Sequence, residues 1–379
     1  MNGFSGTFDC PNAPLHAAAQ SHHPWPDVSF AAQEQAWLDA ARLLDRKWAH
    51  VFATVIPAAQ RHIARVLNLP EPRTIAFGPN THGFVLRLLS CFPRDRPIRI
   101  LTTSSEFMSF ARQIARLEED GSAIVTRVST EPFATFETRF AEAAARGSYD
   151  LVFFSQVFFD SAFAVRDLAR IVESVHAPET FIVIDGYHAF MAVPTDLGAL
   201  ADRVFYLAGG YKYAMAGEGC CFLHCPPGYG ARPRDTGWYA GFTALETGAA
   251  DVPYATDGSR FLGATFDATA LYRFNAVQDW LLREGRSVQT MLQHVRMIEQ
   301  TFLAGLDSAG APIHSSMLIA AESRGRFLGF RTPRASEIVA RLAARNVIVD
   351  CRGENLRIGF GIYHETRDVE RLLDALRGM

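Results

Sequence analysis

The chain has 379 residues, 49% hydrophobic and 20% charged, which suits a soluble globular protein with a large core. Its net charge of -3 and pI near 6.5 give no electrostatic case for nucleic acid or an anionic membrane as partner. No run of about 18 apolar residues reads as a membrane span. The opening MNGFSGTFDCPNAP lacks the basic start and apolar centre of a signal peptide, so a cytoplasmic protein with reduced thiols is expected.

Six cysteines (Cys10, Cys91, Cys220, Cys221, Cys225 and Cys351) include no CxxC pair. The stretch CCFLHCP reads as a strand whose alternation splits its side chains between two faces, so no metal site is expected.

Residues 1–30 show no periodicity. His22-His23-Pro24-Trp25-Pro26 reads as a stiffened arm, with Trp25 either packed on the body or placed at the mouth of a binding site. From Glu34 to about Leu67, apolar residues at Trp37, Leu38, Ala41, Leu44, Trp48, Val51, Phe52, Val55 and Ile56 form a helical stripe with a break expected near Pro57. Thr74 to Phe77 is a short strand leading to Gly78-Pro79-Asn80-Thr81-His82-Gly83 and an apolar helix. Such a turn offers free N–H groups and a hydroxyl to a phosphate, and it serves an ordinary N-cap equally well.

Further strands are predicted at Ile98 to Thr102, ending near Phe107, and at Asp150 to Ser155, ending at Ser155-Gln156; a helix is predicted over 135–146. Strands alternating with helices, without hairpin signals, predict a mostly parallel, doubly wound α/β sheet.

The stretch from Phe181 to Gly219 organises the chain. FIVI is too short for a helix and reads as a buried parallel strand that ends in Asp185. Val204 to Ala208 is a second such strand, followed at once by Gly209-Gly210-Tyr211-Lys212-Tyr213. A carboxylate and a lysine thus emerge from strand ends, where open α/β sheets bind ligands. Small residues around Lys212 leave room for something flat. Pyridoxal phosphate (PLP) needs these parts together. Its aldehyde forms a Schiff base with a lysine, and a carboxylate keeps the ring nitrogen protonated so that the ring accepts electrons from a substrate carbanion. A simple Lys–Asp ion pair is the competing reading.

Asp185-x-x-His188, Tyr211-Lys212-Tyr213 and the glycine-rich tail after them resemble the fold-type I PLP enzymes of the class V aminotransferase superfamily, kynureninase in particular. The resemblance runs in pieces over residues 70 to 375. It implies a phosphate site at Thr81 and His82, Phe107 stacking on the ring, and Ser155 and Gln156 beside it. It further implies roles in the cofactor site for His188, Tyr211 and Trp238, and for Thr265 reaching the phosphate of a partner subunit in a homodimer.

VIVDCRGENLRIGF resembles the kynureninase ending, which makes Arg357 the clamp on a substrate carboxylate and Arg352 a partner of Asp350. Phe266-Asp267 stands where kynureninase carries Ser-Asn, so Asp267 is the substrate-side candidate there, with Trp25 from the arm.

The expected organisation is an N-terminal arm and helix (1–60), a large PLP-binding domain (61–265), and a linking helix with a small α+β domain (266–379). The expected function is PLP chemistry on a small-molecule α-amino acid, with Lys212 and Asp185 catalytic. Kynureninase-like cleavage, transamination or lysis of another amino acid, and a non-catalytic PLP-binding role stand as alternatives. Desulfuration is disfavoured because Cys351 falls inside a predicted strand.

Overall fold

A computed structural model describes residues 3–8, 12–244 and 251–379. Among them a seven-stranded sheet forms the frame: β1 (Ile75–Gly78), β2 (Ile98–Thr103), β3 (Ala123–Val128), β4 (Leu151–Ser155), β5 (Phe181–Asp185), β6 (Val204–Gly209) and β7 (Cys221–His224). Their spatial order is β1-β7-β6-β5-β4-β2-β3. All pairings are parallel except the two made by β7, which runs antiparallel between β1 and β6. β4 and β6 are buried along their whole length and β5 up to Asp185, as near-continuous runs of Val, Ile, Leu and Phe require.

Helices cover both faces. The N-terminal stripe forms α1 (Val28–Leu43) and α2 (Ile56–Leu67); the chain turns at Leu44, and a π-helical segment at Val51–Val55 interrupts the regular ladder just before Pro57. Leu44 adopts φ 54°, and Pro57, which has no N–H to give the ladder, lies in the first turn of α2 directly after the π-helical segment. After β1 comes α3 (Thr81–Leu89); α4 (Met108–Glu119), α5 (Phe133–Arg146) and α6 (Leu168–Ser174) connect the following strands. The linking helix expected after residue 266 is two helices, α7 (Thr269–Arg283) and α8 (Val288–Leu306). Gly285 at φ 64° turns the chain, and a capping box of Ser287 and Thr290 restarts it.

The C-terminal part is a three-stranded antiparallel sheet of β8 (Leu328–Arg331), β9 (Asp350–Arg352) and β10 (Asn355–Ile358), in the order β9-β10-β8. It is joined by α9 (Ala335–Ala343) and α10 (Thr366–Leu376), and with α8 it encloses an apolar core of its own. Leu15 and Ala17 of the N-terminal arm are buried in that core. None of the helices described is long and apolar enough to cross a membrane.

Candidate active site

Register brings the site together. Ser155 and Asp185 are paired residues at the carboxyl ends of β4 and β5, and Asp185 pairs in turn with Leu207 of β6. Gly78 and Cys221 pair where β1 ends and β7 begins. Above this edge lies a cavity of about 430 Å³ whose lining includes Thr81, His82, Phe107, Ser155, Asp185, His188, Tyr211, Lys212 and Arg357. These nine residues come from six separate stretches of sequence.

Lys212 is buried, and its Nζ lies 2.6 Å from Nε2 of His188. Burial, with help from the nearby Arg357 guanidinium, brings its amine down to about 7, while Asp185 pulls the other way. Phe107 and Tyr187 present their rings 5.7 and 5.3 Å from the same nitrogen. Burial likewise holds His188 neutral, well below the usual histidine range, with Lys212 adding to the effect. Asp185 is pushed up to about 6 by burial, against a 2.8 Å hydrogen bond that its Oδ1 accepts from the Tyr187 N–H and against the charge of Lys212.

At the other end of the cavity, Asn80 caps α3 by accepting from the Gly83 N–H at 2.9 Å. Both of the sequence readings of this turn are therefore compatible with one geometry: Asn80 caps, and Thr81 and His82 line the cavity.

A residue that the sequence reading missed supports the floor. Glu106 is buried, and its carboxylate accepts from the Ser155 hydroxyl at 2.6 Å, the Ser155 N–H at 3.2 Å and the Thr103 hydroxyl at 2.7 Å. Burial nevertheless pushes it up to about 8, and Asp185 adds to the push. The available signal was a lone acidic residue three positions past Thr103, at the end of an apolar strand.

Five expected residues do not line this cavity. Gln156 follows Ser155 and faces the opposite way, donating to the Thr195 hydroxyl at 2.9 Å and accepting from Tyr206 at 2.9 Å. It borders a larger groove of about 940 Å³ that contains neither Lys212 nor Asp185, so size alone does not mark the site. Asp267 accepts from the Thr269 N–H at 2.9 Å at the start of α7. Trp25 lies under the Arg273 guanidinium, 4.7 Å away, and against Gly217. Trp238 is 45% exposed and stacks on Tyr239, and Thr265 is exposed nearby. Among the described cysteines only Cys221 lines the cavity, and burial pushes its thiol up to about 11; Cys10 lies outside the described residues. The described residues include no group of His, Cys, Asp and Glu able to hold a metal ion.

Residues 295–376 match the kynureninase C-terminal domain family. The whole chain superposes on the cystine C–S lyase C-DES, in a complex with its product cysteine persulfide, with TM-score 0.82, 16% identity and 98% of each chain covered. The chain has the α/β, fold-type I architecture of that lyase. A C-DES variant with glycine covalently linked to its PLP cofactor matches at TM-score 0.81 and 16% identity, covering 99% of this chain and 98% of that one. A cysteine desulfurase from Thermococcus onnurineus NA1 matches at 0.78 and 14%, covering 98% and 97%. No curated protein matches the chain in sequence.

Proposed function

We propose that this protein binds PLP through Lys212 and acts on a small α-amino acid. The observation that carries the reading is the shared cavity of Lys212 and Asp185, with an amine brought down to about 7 and a carboxylate at a strand end.

The residues fit the group. The cavity holds a lysine that is readily neutral, a carboxylate, two aromatic faces and a helix N-terminus, within the usual volume range of a cofactor site. When bound, PLP supplies an aldehyde for the amine and a ring that withdraws electrons from a substrate's Cα. Asp185 would hold the proton on the ring nitrogen, Phe107 and His188 would cover the ring, and Thr81, His82 and Tyr211 would hold the phosphate. Lys212 would take and return the proton at a substrate's Cα with its Nζ, a task suited to a base poised near neutrality. His188 shares a hydrogen bond with that amine and would keep it oriented. Arg357 would meet the substrate carboxylate.

Trp238, Phe242 and Thr265 are exposed on one chain and outside its own cavity, and α1 shows Phe30 and Trp37 at the surface. A homodimer in which Thr265 and Trp238 approach the partner's phosphate site accounts for this exposure.

Kynureninase-like cleavage is the reaction best supported, because the matched C-terminal domain contains Asp350 and Arg357. A second reading, transamination or lysis of another amino acid, is favoured by Asp267, whose Oδ1 accepts from Thr269 at the start of α7 outside the cavity lining. Persulfide chemistry is not favoured: Cys221 sits in a strand with its thiol pushed up, and Cys351 lies beside Ser336 outside the cavity lining.

The test is a panel of kynurenine, 3-hydroxykynurenine and ordinary amino acids offered to the PLP-loaded protein. Release of the aromatic acid from the kynurenines supports the first reading, and a keto acid from another amino acid supports the second. Inertness of the loaded protein toward the whole panel would sink the enzyme reading.

A further inference from the structure

Arg352 and Arg357 both line the cavity, but the structure gives them unequal freedom. They stand on the hairpin of β9 and β10, in which Asp350 is directly opposite Arg357. Alternation puts Asp350 and Arg352 on the same face of β9, and Arg357 shares that face from across the ladder.

Arg357 is 2% exposed and largely committed. Its Nε donates to Asp350 Oδ1 at 2.8 Å, its Nη2 donates to Asp350 Oδ2, and its Nη1 donates to the carbonyl of Phe159. The Nε edge, which would grip a carboxylate side-on, is therefore occupied by Asp350. Of five N–H groups two remain, one on each η nitrogen. Asp350 is itself fixed, since the buried Gln20 donates to its Oδ1 at 2.9 Å.

Arg352 is different. Its side chain is 35% exposed, it sits 3.5 Å from Asp350 Oδ2, and among the described residues its one hydrogen bond is from Nη1 to the Cys351 carbonyl at 2.7 Å. Its Nε is buried without a hydrogen-bond partner among the described residues.

We propose that the substrate's carboxylate is held between Arg352 and Arg357, with Arg352 supplying the larger share of the contact, and that the site selects amino acids carrying a single carboxylate. Two guanidiniums and Asp350 leave one net positive charge on this wall, which one carboxylate balances and a second would overshoot. Glu218 at the cavity lining opposes a second acid. Arg357 thereby becomes chiefly a positioning residue that ties β10 to the loop after β4, while Arg352 makes the adaptable contact. The inference rests on the PLP reading for the identity of the substrate, though not for the anion site itself.

The experiment compares the PLP-loaded protein with Arg352→Gln and Arg352→Lys. Each is titrated with L-alanine and with ethylamine, and half-saturation is read from the visible spectrum. Arg352→Gln weakens the L-alanine response about tenfold or more, as loss of a charge-assisted pair implies. It leaves ethylamine unchanged, and Arg352→Lys recovers part of the loss. An unaltered L-alanine response in a folded, PLP-holding Arg352→Gln overturns the proposal, and tighter binding of L-aspartate than of L-alanine by the native protein overturns its selectivity.

A second readout needs no PLP: the melting temperature in propionate against chloride at equal ionic strength. Propionate raises it in the native protein and not in Arg352→Gln; equal shifts in both count against the arginine. A native protein that takes up no PLP defeats the cofactor reading alone, because the propionate comparison still decides the anion site.

Discussion

Nζ of Lys212 and Nε2 of His188 lie 2.6 Å apart in a buried pair that has room for one proton between them. Each group is a base in water, and burial lowers both. The pair therefore keeps an uncharged amine within reach of neutral pH, at a cost to the fold.

That cost is measurable in protein freed of PLP. The unfolded lysine binds its proton up to about 10.5, whereas the folded one releases it near 7. Below pH 7 the full penalty is present, and it disappears as pH rises through the unfolded value. Lys212→Met, which keeps the volume, is expected to be more stable than the native protein at pH 7 by on the order of 3 kcal/mol, with the gap closing toward pH 10. Thermal melts across that range check it; a less stable variant at pH 7 would contradict the account.

Glu106 gives the opposite slope. Its folded value of about 8 lies above the ordinary 4.5, so the folded protein binds more protons between them and loses stability as pH rises through that window. Glu106→Gln keeps an oxygen for the Ser155 N–H and removes the charge. It is expected to raise the melting temperature at pH 9 and to change it little at pH 5.

Acid should act through the buried histidines. His16 and His224 are brought down to about 4 and His364 to about 3, chiefly by burial, and His23 and His188 go well below the usual range. Unfolded histidines take protons near 6.5, so stability is complete above that value and falls as pH drops toward 4, by on the order of 5 kcal/mol in sum. Denaturant melts at pH 7 and pH 5 check the slope; equal stabilities at the two values would count against it.

Gly217 is where the N-terminal arm meets the lysine loop. It adopts φ 71°, and a Cβ there would come 2.3 Å from Trp25. Gly217→Ala is expected to cost more than about 1 kcal/mol and to speed proteolysis of the arm ahead of α1. Unchanged cleavage would mean that Trp25 does not anchor the arm.

The sequence made the frame of the site legible because strand-end chemistry follows from runs such as FIVID and from the glycine collar of Lys212. Thr81, Phe107, Ser155 and His188 follow similarly from turns beyond strands, and all line the cavity. Gln156 was not separable from Ser155 by motif, yet strand alternation turns the two in opposite directions. Asp267 reads as a substrate contact from its place in a motif; in the structure its Oδ1 accepts from the N–H of Thr269 at the start of α7, outside the cavity lining. Glu106 and the sharing of Asp350 between two arginines depend on contacts across distant strands, which no local pattern encodes.

The most direct test of the central claim is borohydride reduction of the protein after loading with PLP, followed by mass mapping of the modified peptide. The account predicts a visible band that bleaches on reduction, with the pyridoxyl group on Lys212 and no such product in Lys212→Ala. A colourless protein, or a label carried by other lysines, would contradict it.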